Sequence, residues 1–211
     1  MCYVIWIASF GALSRFLGPV HASGTVITLD GSGAGRIFQG IGAVSAGGSS
    51  RLLIDYPEPE RSQILDYLFK PNYGASLQHL KVEIGSDDDS GTGSEPSHER
   101  SPDVENFSRG YEWWLMQQAK LRNSNIQLDA LEWGAPGWIG NGNFFSQDNI
   151  NYIVGFVQGA QQIYGLTINY VGVWNESSYN AAWIKQLKSA LQAAGLSTQV
   201  VAADEDINSG M

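Results

Sequence analysis

Asn175 and Glu176 are the residues most suggestive of chemistry. They close the apolar run Ile168-Asn169-Tyr170-Val171-Gly172-Val173-Trp174. That run, rich in Val, Tyr and Trp, reads as a buried strand. A carboxylate at the carboxyl end of such a strand stands at the mouth of a parallel sheet, where α/β folds carry out their reactions. Its natural task there is proton transfer. The competing reading is a Glu that opens the next helix, with Asn175 as the N-cap. A second strand-end feature is Glu132-Trp133, which closes the alternating segment Ile126–Trp133 just before Gly134-Ala135-Pro136-Gly137-Trp138. An indole in that place offers a face for the apolar side of a sugar, although core packing is the commoner fate of Trp133 and Trp138 alike. Glycoside hydrolysis needs a proton donor beside the scissile oxygen and a second carboxylate across the sugar. An Asn just before the donor can bond the 2-hydroxyl as the transition state forms.

The elements that must position these residues alternate in type. Gly40–Val44 is a first strand, followed by a Gly/Ser loop over residues 46–50 and a helix over Glu58–Leu68 opened by Pro57 and Pro59. Leu77–Ile84 is the second strand. A long polar stretch over Gly85–Asn106 leads to a helix with Tyr111, Trp114, Leu115 and Ala119 at helical spacing. Ile126–Trp133 is the third strand, and a helix over Asn149–Tyr164 precedes the strand at Val171–Val173. A helix over Ala181–Ala193 and a strand over Thr198–Ala203 complete the series. Strict alternation of strand and helix predicts βα units and a parallel sheet. Strand ends at Glu83-Ile84-Gly85, Glu132-Trp133 and Asn175-Glu176 converging on one face give the barrel pattern, with an open doubly wound sheet as the alternative.

Bulk properties narrow the classes. The chain has 211 residues, 43% of them apolar, and a formal charge of −9, which suits one sizeable core and excludes a disordered chain. The apolar run over residues 3–13, with Val20-His21-Ala22 before Ser23, predicts a secretory signal peptide over residues 1–22. It is shorter than the ~20 residues of a membrane span. Its removal takes away Arg15 and no acid, so the charge becomes −10. Such a surface repels nucleic acid and anionic membranes. Cys2 is the only cysteine and lies in that segment, so neither a disulfide scaffold nor a thiolate zinc site is expected.

Other motifs fall short. Gly31, Gly33 and Gly35 are followed by Arg36, so no dinucleotide fingerprint is complete, and no phosphate loop is present. Ala43-Val44-Ser45-Ala46-Gly47 lacks the first Gly of a nucleophile elbow. Asp87-Asp88-Asp89-Ser90-Gly91-Thr92 departs from a calcium loop in the place of its Gly and reads as a solvated acidic loop. His98-Glu99 is not part of a two-His zinc helix. No metal or cofactor is expected.

Longer blocks carry a family resemblance. They are Gly40–Ser45, Tyr56–Pro59, Arg61–Pro71, Leu80–Gly85, Glu95-Pro96-Ser97-His98, Arg109–Met116, Pro136-Gly137-Trp138 and Trp174-Asn175-Glu176-Ser177. In these blocks, over about residues 38–204, the chain resembles the galactocerebrosidase (galactosylceramidase) family of retaining β-galactosidases. The resemblance implies a (β/α)₈ TIM barrel with Glu176 as acid/base, and with Asn175 and Trp133 holding galactose. A threonine after the second strand also touches the sugar in that family. The ungapped register places Gly91 there with Ser90 and Thr92 alongside, and Thr92 is taken as its replacement. About five of eight βα units are present, so residues 23–211 are expected to be the N-terminal part of a barrel whose nucleophile Glu lies outside the chain. The implied substrate is galactosylceramide or a related β-galactoside, with a lipid-presenting activator protein as a partner and lysosomal or extracellular delivery. The competing functions are another retaining β-glycosidase, such as a glucosylceramidase, and a non-catalytic sugar-binding fragment. The sequons Asn106-Phe107-Ser108 and Asn175-Glu176-Ser177 are both present, and Asn106 is the expected glycan acceptor.

Overall fold

A computed structural model describes residues 27–28, 31–33, 35–89, 91 and 93–202. The expected signal peptide, Thr92 and residues 203–211 lie outside the described residues. Residues 1–38 form one unit, and residues 39–211 form a second that holds all the described strands and helices.

The strands are β1 (Gly42–Ser45), β2 (His79–Ile84), β3 (Gln127–Glu132), β4 (Tyr170–Trp174) and β5 (Gln199–Val200). The helices are α1 (Arg51–Asp55), α2 (Glu60–Phe69), α3 (Glu112–Arg122), α4 (Gln147–Tyr164) and α5 (Ala181–Ala193). All neighbouring strands pair in parallel in the order β1-β2-β3-β4-β5, with Lys81 opposite Asp129 and Asp129 opposite Tyr170. A sheet in chain order with a crossover after each strand is the arrangement of a (β/α) barrel, here with five strands.

Local sequence explains the helices. In α4 the buried Ile150, Ile153, Phe156, Val157 and Ala160 recur at helical spacing and give it one apolar face. Ser146 caps it by accepting the Asn149 amide at 3.3 Å, and Gly165 ends it in the left-handed region. Asn180 caps α5 by accepting the amides of Ala182 and Trp183, each at 3.1 Å. The first turn of α3 is capped from a distance. Glu95, in the loop after β2, accepts the amides of Tyr111 at 2.7 Å and Glu112 at 3.3 Å.

Alternation along the strands sorts the two faces. Leu80, Val82 and Ile84 of β2, Leu128 and Ala130 of β3, and Val171 and Val173 of β4 join the core that the helices cover. The other face is polar in part. Lys81 pairs with Asp129 at 3.5 Å, and the rings of His79 and Tyr170 stack at 6.3 Å. Gly172 belongs to this face because Leu131 fills the space a side chain would need. Val44 in β1 and Val201 just after β5 are exposed at the outer strands.

The structure adds detail to the sequence expectations. The Gly/Ser segment is a 3₁₀ turn, Gly47–Ser50, running straight into the short helix α1. The Gly47 amide is held at 2.5 Å by Glu83, a β2 carboxylate with 1% exposure. The fifth strand is only two residues long. Within the polar stretch after β2, Glu95, Ser97 and His98 are buried.

Candidate active site

A cavity of about 460 Å³ opens at the carboxyl ends of β2, β3 and β4. The loop after β2 contributes Ser86, Asp88 and Asp89; the loop after β3 contributes Trp133–Gly137 and then Ile139, Gly142 and Phe144; β4 contributes Trp174. Its size is that of a small-molecule site. The aromatic side is ordered by contacts among its own members. Trp174 stacks on Phe144 with centroids 4.2 Å apart and planes 7° from parallel, and its Nε1–H donates to the Trp133 carbonyl at 3.2 Å.

The expected site residues fall at strand ends. Trp133 follows β3 directly and lines the cavity. Asn175 follows β4, and its amide donates to the Glu132 carbonyl at 2.8 Å, which extends the β3–β4 pairing by one bond. Glu176 is exposed, two residues beyond the cavity-lining Trp174, and its φ of 48° lies in the left-handed region. That conformation costs a non-glycine residue about 1–3 kcal/mol. Asn180 caps α5, so the helix does not begin at Glu176 and Asn175 is not its cap. Trp138 is a packing residue, with its Nε1–H on the Glu99 carbonyl at 3.2 Å and its ring edge-on to Tyr152.

Ser86, Asp88, Asp89, Phe144 and Trp174 line the cavity without having been singled out from the sequence. Trp174 was visible as a strand residue and as part of a family block, but not as a cavity wall. The position of Ser86 one residue past a strand end is the signal that was there to be used.

The loop after β2 is fastened on its far side. Asp87 accepts from Arg109 Nη2 at 2.6 Å, from the Ser97 amide at 3.2 Å and from the Ser97 hydroxyl. Partial burial pushes the Asp87 carboxyl up, but the bonds from Ser97 and Arg109 outweigh it and hold it below the ordinary range. The Tyr152 hydroxyl donates to the Gly85 carbonyl at 2.5 Å. Gly85 must be glycine, since the backbone of Glu95 and Pro96 occupies the space of any Cβ there.

Behind the cavity sits a set of buried ionisable groups. Glu132 has no exposed surface, and burial drives its carboxyl well above the ordinary range despite the bond from Asn149. Burial, with Glu83 nearby, raises Glu95 to about 7 against the bonds from Tyr111 and Glu112. His98 stacks on Tyr152 at 4.1 Å and on Phe107 at 5.3 Å, and burial lowers it to about 3. Among the described residues, no group of three or more His, Cys, Asp or Glu side chains is placed to hold a metal ion, and no helix is long and apolar enough to cross a membrane.

A parallel sheet in chain order, with a cavity at the carboxyl ends of its strands, defines part of a (β/α) barrel. Solved structures share this fold. They include an endo-β1,6-glucanase (TM-score 0.64, 22% identity, covering 79% of this chain and 43% of that one) and the catalytic domain of a GH30 xylanase from Talaromyces cellulolyticus (TM-score 0.62, 22% identity, 81% and 47%). Residues 38–211 match glycosyl hydrolase family 59, and the chain belongs to that family of glycoside hydrolases. It is 54% identical over 183 residues to the galactocerebrosidase of Danio rerio, covering 84% of this chain and 28% of that protein. It is 51% identical over 214 residues to that of Homo sapiens, covering 97% and 31%. The chain thus spans less than a third of the length of these relatives, and the resemblance read from its sequence blocks is borne out.

Proposed function

We propose that this chain forms the acid/base half of a retaining β-galactosidase acting on galactosylceramide or related galactosphingolipids. The supporting observation is the cavity at three strand ends, lined by Trp133 and Trp174 and adjoining Asn175-Glu176. In this reading Trp133 stacks on the sugar and Asn175 bonds the 2-hydroxyl. Glu176 protonates the leaving alcohol and then takes a proton from water as the galactosyl-enzyme is hydrolysed.

Retention requires a second carboxylate ~5–5.5 Å from the first. Glu132 cannot serve, because it faces Asn149 of α4 on the helix side of the sheet and is fully buried. Glu83 is committed to the Gly47 amide. In this reading, as the family resemblance implies, the nucleophile is a Glu outside these 211 residues. The same reading includes passage through the secretory pathway to the lysosome or the extracellular space. It also includes a lipid-presenting partner that lifts the ceramide out of its bilayer.

The test is a pair of measurements on the purified 211-residue chain. Saturation-transfer NMR is expected to detect binding of methyl β-galactopyranoside that Trp133→Ala abolishes, while a chromogenic β-galactoside shows no turnover. Robust turnover by this chain would overturn the assignment of Glu176 as one member of an incomplete pair.

A further inference from the structure

We propose that Ser86 and Asp88 form the hydroxyl-reading wall of the cavity, and that the carboxylates of Asp88 and Asp89 restrict it to sugars without anionic substituents. The inference rests on the cavity being the sugar site and names the substrate class that site accepts.

Ser86 is the buried member of this wall, with 3% exposure, and it lines the cavity. Its Oγ accepts the Asp88 amide at 3.3 Å, so its hydroxyl proton remains for an acceptor on a ligand. That bond also fixes the turn that brings Asp88 to the cavity. Asp88 carries acceptors only, and its two oxygens suit two neighbouring sugar hydroxyls. A donor and an acceptor thus stand side by side on one loop.

The opposite wall supplies the other half of the recognition. Gly134 passes close to the pair, since a Cβ built there would lie 3.5 Å from Ser86 Oγ and 3.8 Å from Asp88 Oδ2. Gly134 thus links the polar pair to the aromatic side formed by Trp133, Trp174 and Phe144 along the lining of one cavity. A pyranose ring has an apolar C–H face and a rim of hydroxyls, and it matches both walls at once.

Charge then decides which sugars enter. Asp88 and Asp89 are both exposed to the cavity, and concave sites concentrate the field of their own charges. The neighbouring cation, Arg109, is bound to Asp87 at 2.6 Å, and Lys81 is paired with Asp129 on the sheet. Neither lines the cavity. A sulfated or carboxylated sugar meets like charge with no compensating partner among the described lining residues, which is a strong means of rejection.

Saturation-transfer NMR on the 211-residue chain tests this, with methyl β-galactopyranoside and its 3-sulfate as probes. The neutral glycoside is expected to bind about tenfold more tightly than the sulfate, with the gap shrinking at high salt. Asp88→Asn keeps an acceptor but removes the charge, and it should narrow that gap. Asp88→Ala should weaken neutral binding about tenfold, the value of a hydrogen bond to a charged group. Equal binding of both probes by the wild type, a gap that Asp88→Asn does not move, or unaltered neutral binding in Asp88→Ala overturns this inference alone. Failure of the wild type to bind the neutral glycoside overturns the sugar-site reading with it. Circular dichroism confirms that these exposed-loop variants keep the fold.

Discussion

Oε2 of Glu132 accepts the Nδ2–H of Asn149 at 2.9 Å, and neither residue has exposed surface. The pair joins the end of β3 to the first turn of α4. Glu132 directly precedes Trp133, and its own carbonyl holds the Asn175 amide at 2.8 Å. A contact on the helix side of the sheet therefore fixes the backbone of two residues on the cavity side.

Glu132 makes stability fall on the alkaline side. Its carboxyl is raised by burial, so the folded state favours the neutral form. That contribution is complete below the unfolded value near 4.3 and is lost as pH rises toward the folded one, by about 1.4 kcal/mol per pH unit. Glu132→Gln stays neutral throughout. Urea denaturation between about pH 5 and 8 should show the variant losing less stability than the wild type. Parallel curves would refute the assignment.

His98 acts on the acid side. Its value of about 3 lies below the unfolded 6.5, so the neutral ring stabilises the fold above that pH and the benefit is lost as pH falls. Neither ring nitrogen has a hydrogen-bond partner, and aromatic rings stack on it. His98→Phe keeps the stack and removes the titration. The variant is expected to match the wild type at neutral pH and to exceed it by about 2 kcal/mol at pH 5. Thermal melts at the two pH values decide the matter.

Glu95 opposes His98 over part of the range. Raised to about 7, it contributes fully below about 4.5 and loses that contribution as pH climbs to 7. Between about 4.5 and 6.5 the falling slopes of Glu95 and Glu132 together exceed the rising slope of His98, so stability falls with pH there. Glu95→Gln leaves the opposed slopes of Glu132 and His98, which should flatten the curve across this window. A variant curve that falls as steeply as that of the wild type would count against the remote cap as the titrating group.

Gly159→Ala provides a packing test. Alanine normally favours a helix interior over glycine by about 1 kcal/mol. In α4 the new methyl would collide with the Phe107 ring, so the substitution should destabilise by about 1–3 kcal/mol instead. A gain in melting temperature would show that Phe107 yields freely.

Glycan placement is the fifth expectation. Asn106 is exposed, whereas Asn175 is half-buried at the end of β4. Peptide mapping of the chain secreted from a eukaryotic host should find a glycan on Asn106 and none on Asn175. A glycan on Asn175 would displace it from the sugar site.

The sequence was most legible where signals were local. Alternation in Gln127–Glu132 and helical spacing from Ile150 to Ala160 predict β3 and α4, and chain-order alternation predicts the parallel sheet. Placing Asn175, Glu176 and Trp133 at strand ends needed only the strands to be located. Helix α1 was missed because Gly47-Gly48-Ser49-Ser50 reads as a loop, and the bond that the Gly47 amide donates to Glu83 spans 36 positions. The burial of Glu95 and His98 was hidden for the same reason, since the partners that permit it lie at the start of α3 and on α4. Asp88 read as part of a solvated loop, and its exposure agrees; only the fold shows that this exposure is to a cavity.

Two fastenings bracket the loop after β2. Asp87 is locked to Ser97 and Arg109, and Glu95 is locked to the start of α3, with a bridge between Asp89 and Ser94 inside them. Asp88, Asp89 and Gly91 thus lie between anchors that belong to the scaffold. A side chain added at Gly91 would meet no neighbour, whereas one at Gly93 would run into the Gly48 backbone. On the proposed sugar-binding reading, Asp88 and Asp89 are the positions at which selection can rewrite the polar wall of this pocket without touching its anchors.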